Sequence, residues 1–205
     1  MRSSSNVVIT GGTGFIGKHL ITMCVRNSIN FRVLTRTPNT KIPNSKHIIP
    51  DSCSDAELFE AIKGANIVVH LLGLAHDIQG KFGSEEYSRI NVGMTKRFAE
   101  ISALAGVDHF IFLSSAKAYG ERTLHNKPLK ESREPKPESD YGLSKLIAEQ
   151  ALIDVEKANP DMKVTIIRPP LVYGQGVKEN FFRLVQLAKS SYPLPLGALH
   201  EARKS

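Results

Sequence analysis

Short apolar runs alternate with longer amphipathic stretches along this chain of 205 residues. Val7-Val8-Ile9, Phe31 to Leu34, Ile67-Val68-Val69 and Phe110 to Leu113 are too short for helices and are rich in β-branched and aromatic side chains. Runs of that kind read as buried strands. The expected strands are 6–10, 31–35, 46–50, 66–71, 109–114 and 163–168. Between them apolar positions return at helical spacing, as with Ile16, Leu20, Met23 and Cys24, and the expected helices are 14–27, 54–63, 85–105 and 141–158. Strand–helix alternation without an internal repeat predicts an α/β fold with a doubly wound parallel sheet. Glu121 to Asp140 carries Pro128, Pro135 and Pro137 among charges and is expected to be a loop. So is Ile78 to Glu85, where Lys81 is read as a solvent-exposed charge. Beyond Gly174 the chain leaves the sheet, and Phe181-Phe182, Leu184-Val185 and Leu187-Ala188 outline one apolar helix face.

The first strand runs directly into Thr10-Gly11-Gly12-Thr13-Gly14-Phe15-Ile16-Gly17. Strand, glycine turn and helix in that order are what a dinucleotide-binding loop needs. Gly11 permits a tight turn, Gly14 lets the backbone approach a pyrophosphate, and Gly17 lets the helix pack closely. Phosphates then meet the free N–H groups and the positive dipole end of the helix.

Tyr141 and Lys145 stand four apart on the last expected helix and so share a face. An ammonium near a phenol favours phenolate and lowers its pKa from about 10 towards neutrality. A general base for an alcohol or sugar hydroxyl requires that. The strand 109–114 ends in Ser114-Ser115, at the edge where an open α/β sheet binds its ligands. Ser115 is placed to hydrogen-bond the reacting oxygen beside Tyr141.

These motifs, in this order, resemble the extended short-chain dehydrogenase/reductases, specifically the NAD-dependent epimerase/dehydratase family that acts on nucleotide-sugars. The resemblance covers essentially the whole chain. It implies a Rossmann-type fold with Thr10 to Gly17 as the cofactor loop, including Thr13, Phe15 and Ile16. It implies Ser115, Tyr141 and Lys145 as catalytic residues, with Tyr141 and Lys145 also touching the cofactor. Asp51 matches the acidic residue near the adenine. Leu72 and Gly73 match the turn beside the cofactor, and Asn91 a structural and cofactor-side Asn. Pro170, within Arg168 to Gly174, matches the segment flanking the nicotinamide. Asn180 matches a residue on the substrate diphosphate, which makes Ser115, Tyr141 and Asn180 the substrate set. Thr35 stands where members that prefer NAD carry Asp, and Arg36 could pair with a 2′-phosphate. The expected cofactor is therefore NAD, with NADP left open.

The implied function is a nucleotide-sugar 4-epimerase, of UDP-hexose or UDP-N-acetylhexosamine type, working by transient oxidation at C4. The alternative is an NAD(P)-dependent 4-keto-sugar reductase or dehydrogenase using the same residues. A dehydratase is disfavoured because Ala116-Lys117 stands where that chemistry places a carboxylate pair. A reading of another class is a non-catalytic dinucleotide-binding fragment, because members of the family run on past residue 205. Residues 1–174 are read as the NAD(P)-binding domain and 175–205 as the start of an incomplete substrate lobe. The likeness also allows a homodimer through the helices at 85–105 and 141–158.

Composition adds bounds. An apolar fraction of 41% and a charged fraction of 23% are ordinary for a globular chain. The net charge of +7 suits acidic ligands such as nucleotides, and no aromatic-basic stripe points to nucleic acid. No apolar run reaches the about 20 residues of a membrane span. Cys24 and Cys53 are too few for a disulfide framework and fit a cytoplasmic location. The seven His residues show no metal-ligand spacing, so no metal is expected.

Overall fold

A computed structural model describes residues 6–36, 42–48, 52–75, 82–124, 130–177, 186–187, 189 and 202–204. Strand β1 (Asn6–Thr10) leads through the glycine loop into helix α1 (Phe15–Arg26). There follow β2 (Asn30–Thr35), β3 (Ser45–His47), α2 (Asp55–Ile62) and β4 (Ile67–His70). The long helix expected at 85–105 is helical throughout but not uniform. It opens as α3 (Ser84–Tyr87), widens into a π-helical stretch at Ser88–Met94, and closes as α4 (Thr95–Leu104). Then come β5 (His109–Leu113), a 3₁₀ turn (Ala116–Ala118), β6 (Arg122–Leu124), α5 (Asp140–Ala158), β7 (Lys163–Ile167) and β8 (Ala202–Lys204).

Six strands form one parallel sheet in the order β3-β2-β1-β4-β5-β7. Sequence order runs outward from β1 in one direction and then, from β4, in the other. The reversal between β1 and β4 is the place where such sheets bind ligands at the carboxyl ends of their strands. The expected loop at Glu121 to Asp140 contains β6, which pairs antiparallel with β8. Neither strand has the length or apolar alternation that marks a strand in sequence. The expected strand 46–50 is described only as far as Ile48, and of the expected helix face at 181–188 only residues 186 and 187 are described.

Alternation along the strands builds two apolar layers. Val7, Ile9, Phe31 and Val33 pack with Ile21 and Cys24 of α1 on one face. Val8, Leu34, Val68, Phe110 and Phe112 point to the other face, against Leu58 and Ile62 of α2, Phe98 of α4, and Ala148 and Leu152 of α5. Ser54 caps α2 with a full capping box to Glu57, which fixes where that helix starts. Among the described residues no helix is long and apolar enough to cross a membrane.

A buried imidazole sits in the larger core. His70, at the end of β4, is fully buried among the rings of Phe98, Phe110 and Phe112. Its Nδ1 is 3.0 Å from Thr10 Oγ1 and its Nε2 is 3.2 Å from Thr95 Oγ1. Burial, with help from the Lys145 ammonium, pushes the imidazole down to about 3. It is therefore neutral, with one nitrogen donating and the other accepting. The unfolded chain takes up a proton near the usual value of about 6.5, whereas the folded chain resists until about pH 3. His70 thus contributes stability that is complete above about pH 6.5 and is lost as pH falls, by about 1.4 kcal/mol per unit. Urea unfolding at pH 7 and pH 5 should show a loss in the wild type that is smaller by about 2 kcal/mol in His70→Gln. Equal losses in both proteins would refute it.

Candidate active site

The glycine loop is shaped by backbone contacts that exclude a side chain. Gly11 has φ +69°, and a Cβ there would lie 2.6 Å from the carbonyl carbon of Leu71 and 2.8 Å from the Leu72 nitrogen. Its turn is therefore pressed against the chain leaving β4. Gly17 packs against the loop itself, since a Cβ would meet Gly11 O at 2.5 Å and Gly12 Cα at 2.6 Å. Gly12 has a packing role that its sequence position does not announce. A Cβ there would strike Val33 Cγ1 at 2.4 Å. Gly14 is the exposed member: a Cβ would meet only Gly11 O, at 3.2 Å. It is also the residue preceding α1, with no side chain capping the helix and no acidic residue in its first turn. The first N–H groups of α1 therefore keep donor capacity beside an open backbone, which suits a phosphate. Thr13 is exposed, and Phe15 and Ile16 are half-buried behind it.

The chain leaving β4 is held at two points. Leu72 N donates to Thr10 Oγ1, at 3.3 Å. Asn91, wholly buried in the π-helical stretch, donates from Nδ2 to Leu74 O and to Ser144 Oγ, and accepts from Leu74 N. Ser144 passes the link on to the Tyr141 carbonyl. A Cβ on Gly73 would lie 3.0 Å from Asn91 Oδ1 and 3.7 Å from Lys145 Nζ. Asn91 thus ties the Leu72–Gly73 turn to α5. The wider helical turn at 88–94 accompanies that task, as such distortions commonly do at functional sites.

On the other side, β5 is followed by Ser114 and Ser115. Ser115 caps the 3₁₀ turn through Lys117 N. Ser139 caps α5 through Gly142 N. The start of α5 fits against that turn because residue 142 is glycine: a Cβ there would be 2.5 Å from Lys117 O. This close fit sets Tyr141 beside Ser115, whose hydroxyl draws the phenol's pKa down. The Tyr87 ring lies 6.2 Å from that of Tyr141.

Lys145 lies one turn further along α5 and is 4% exposed. Its Nζ sits 4.2 Å from the centre of the Phe112 ring. Among the described residues it has no hydrogen-bond acceptor. Burial lowers its pKa to about 7, opposed by the attraction of Glu149. The Tyr141 phenol is pushed up, because burial outweighs the Ser115 hydrogen bond that pulls it down. This corrects the expectation that the lysine depresses the phenol. Within the protein, burial disfavours both charged forms, and the lysine is not among the groups that shift the tyrosine.

The expected site residues thus fall into two linked groups: Gly11 against Leu72, and Gly73 with Asn91 and Lys145 beside Ser115 and Tyr141. Arg36 is exposed just past β2, and Pro170 is exposed three residues past β7, both on the same carboxyl edge. Asp51, Asn180 and Lys81 lie outside the described residues. Residues that sequence reasoning did not single out are Gly12, Gly142 and Ser144. Gly142 is legible in retrospect as the glycine next to Tyr141. Among the described residues no group of three or more His, Cys, Asp or Glu side chains could hold a metal ion.

Comparison with known proteins gives concordant matches. The profile described as "NAD dependent epimerase/dehydratase family" matches residues 7–195. A protein of Vibrio cholerae named UDP-glucose 4-epimerase is 34% identical over 203 residues, covering 98% of this chain and 62% of that protein. One of Caulobacter vibrioides named ceramide reductase is 32% identical, covering 93% of this chain and 53% of its own length. The solved structure of MoeE5 in complex with UDP-glucose and NAD superposes with a TM-score of 0.75 at 29% identity, over 89% of this chain and 60% of that one. The chain therefore spans less than two thirds of each of these proteins.

The polar pin generates its own test. Asn91→Leu keeps the branched outline but strips the bonds to Leu74 and Ser144. At about 1–3 kcal/mol for each buried group left unpaired, the loss in urea unfolding should be about 2–4 kcal/mol. A change below about 0.5 kcal/mol, the size of an ordinary surface effect, would show that Asn91 pins nothing.

Proposed function

The chain belongs to the NAD dependent epimerase/dehydratase family, and from that premise we propose that it is the cofactor-binding and catalytic part of a nucleotide-sugar 4-epimerase. The substrate is a UDP-hexose or UDP-N-acetylhexosamine, and the cofactor is NAD. The observation that carries the reading is the placement of Ser115 beside Tyr141, above a buried lysine that has no hydrogen-bond acceptor among the described residues. A buried ammonium without an acceptor is costly, and a ribose hydroxyl at that place would supply one. The glycine cradle and the uncapped start of α1 suit a pyrophosphate in the same way.

In this reading Gly11 to Gly17, with Thr13, Phe15 and Ile16, hold the pyrophosphate. Leu72 and Gly73 line the cofactor's path, Asn91 is buried behind them and supports that turn rather than touching the cofactor, and Pro170 flanks the nicotinamide. Arg36 faces the adenosine ribose, with Asp51 near the adenine and Asn180 on the substrate diphosphate. Residues 1–174 form the cofactor domain and 175–205 begin the substrate lobe. When bound, the nicotinamide supplies the acceptor and donor of hydride. The protein's own part is proton transfer and orientation. Tyr141 takes the proton of the sugar 4-hydroxyl, Ser115 hydrogen-bonds that oxygen, and Lys145 donates to the cofactor's ribose. Tyr141 keeps the proton while the 4-keto sugar turns, then returns it to the oxygen after hydride arrives on the opposite face. C4 is inverted and no cofactor is consumed. A net reductase using the same residues is the second reading, favoured by the similarity to the protein named ceramide reductase.

Denaturing the purified protein and weighing the released nucleotide should yield NAD. Conversion of UDP-glucose or UDP-N-acetylglucosamine should then proceed without added cofactor. Tyr141→Phe should lose about 10²–10⁴-fold in turnover, the range for a positioned acid–base, while still releasing NAD. Turnover that persists in Tyr141→Phe would sink the assignment. Turnover only with added reduced cofactor would select the reductase.

A further inference from the structure

Beneath Ser115 and Tyr141 lies a second polar group that neither the motif nor the proposed reaction uses. Glu149 is 2% exposed. It follows Lys145 by four residues and Tyr141 by eight, so the three share one face of α5. Its Oε1 accepts from Ser114 Oγ and from Arg168 Nε, and its Oε2 accepts from Arg168 Nη2. The two arginine bonds are 2.9 Å each, the forked geometry in which Arg meets a carboxylate most strongly. Arg168 in turn stacks 4.5 Å over the Tyr119 ring. One carboxylate therefore joins the end of β5, the 3₁₀ turn, α5 and the end of β7.

A bidentate arginine already satisfies this carboxylate, so core stability alone does not require that it stand one turn from the lysine. A buried pair of this kind is weak evidence of net stabilisation. Its position has a consequence for Lys145, whose ammonium has no hydrogen-bond acceptor among the described residues and whose nearest ring is that of Phe112. We propose that Glu149 is a positioning residue whose carboxylate, clamped by Ser114 and Arg168, supplies the counter-charge that keeps Lys145 an ammonium beneath Tyr141.

The other titratable neighbours do not fill that role. From β4, His70 is neutral, and charging it would repel the lysine. From β7, Arg168 is itself a cation. On the elements packed against α5, Lys117 pairs with Glu121 and Lys96 with Glu100. Tyr87, beside Tyr141, raises the phenol rather than assisting the lysine. Glu149 is the group whose attraction opposes the burial of Lys145.

The test reads Lys145 directly, on the full chain with lysine labelled with ¹³C at Cε. The signal is assigned by its loss in Lys145→Met and followed against pH. The wild type should titrate near 7. In Glu149→Gln the burial cost and the cation of Arg168 both favour the amine. The midpoint should fall by about one unit or more, a tenfold shift towards the amine. The double variant Glu149→Gln with Arg168→Gln removes the repulsion as well, so its midpoint should fall less than the single's. It also leaves no unpaired buried charge, so it serves if the single variant does not fold. A Glu149→Gln midpoint within about 0.2 unit of the wild type, a small fraction of one charge interaction, would overturn the proposal. So would a double variant unchanged from wild type when the single is unfolded. This titration needs no substrate and stands apart from the epimerase reading, on which only the catalytic meaning of Lys145 rests. Where turnover is present, its alkaline limb should move to lower pH in Glu149→Gln. An unmoved limb would deny Glu149 its part in the reaction even if the titration shifts.

Discussion

The close fit of α5 against the end of β5 is the constraint on which the site depends. Residue 142 has no room for a side chain, because Lys117 O would lie 2.5 Å from its Cβ. That contact brings a helix and a strand end, well apart in sequence, together at Tyr141 and Ser115. Everything further along the helix inherits its position from it. Ser144 meets Asn91, Lys145 settles over Phe112, and Glu149 meets Ser114 and Arg168. A helix set an ångström further out would lose the approach of Tyr141 to Ser115 together with the buried bonds beneath it.

The sheet pairs each site-bearing strand end with a buried polar link. Thr10, His70 and Thr95 join β1, β4 and α4. Asn91 joins the turn after β4 to α5. Glu149 joins β5, α5 and β7. Apolar layers alone tolerate sliding, because dispersion and the hydrophobic effect are not directional. Hydrogen bonds in a low-dielectric interior are directional and costly to leave unmade. The apolar faces therefore supply the bulk of the burial, and these three links fix where the carboxyl ends of the strands stand.

Most of the fold was legible in the sequence because its elements are periodic. Buried parallel strands read as apolar runs, and α1, α2 and α5 end within a residue of expectation because caps and turns mark them. The π-helical widening at 88–94 was not legible, since its hydrophobic pattern is that of an ordinary helix and the bonds that Asn91 makes there are tertiary. The short pair β6 and β8 was missed because strands of three residues carry no alternation. At the site, the glycine loop and the spacing of Tyr141 and Lys145 were readable as motifs. The tight packing of Gly12 was not, because its neighbours Val33 and Ile21 lie on separate elements. The direction of the Tyr141 shift was misjudged for a related reason. Spacing shows that a cation is near, but only packing shows how far both groups are removed from water.

Burial pushes Tyr141 and Lys145 in opposite directions along the pH scale, yet towards the same condition, the neutral form. The proton transfer proposed for Tyr141 needs the reverse for both groups. Each is opposed by one protein contact: the Ser115 hydrogen bond draws the phenol down, and the Glu149 carboxylate holds the lysine up. Neither contact fully cancels its burial. The site is thus poised so that an additional positive charge or donor near the phenol, and an additional acceptor near the lysine, would shift both groups together. A dry pocket with its ions held near balance makes proton transfer responsive to what is bound there, because the same low dielectric that suppresses ionisation magnifies each new charge.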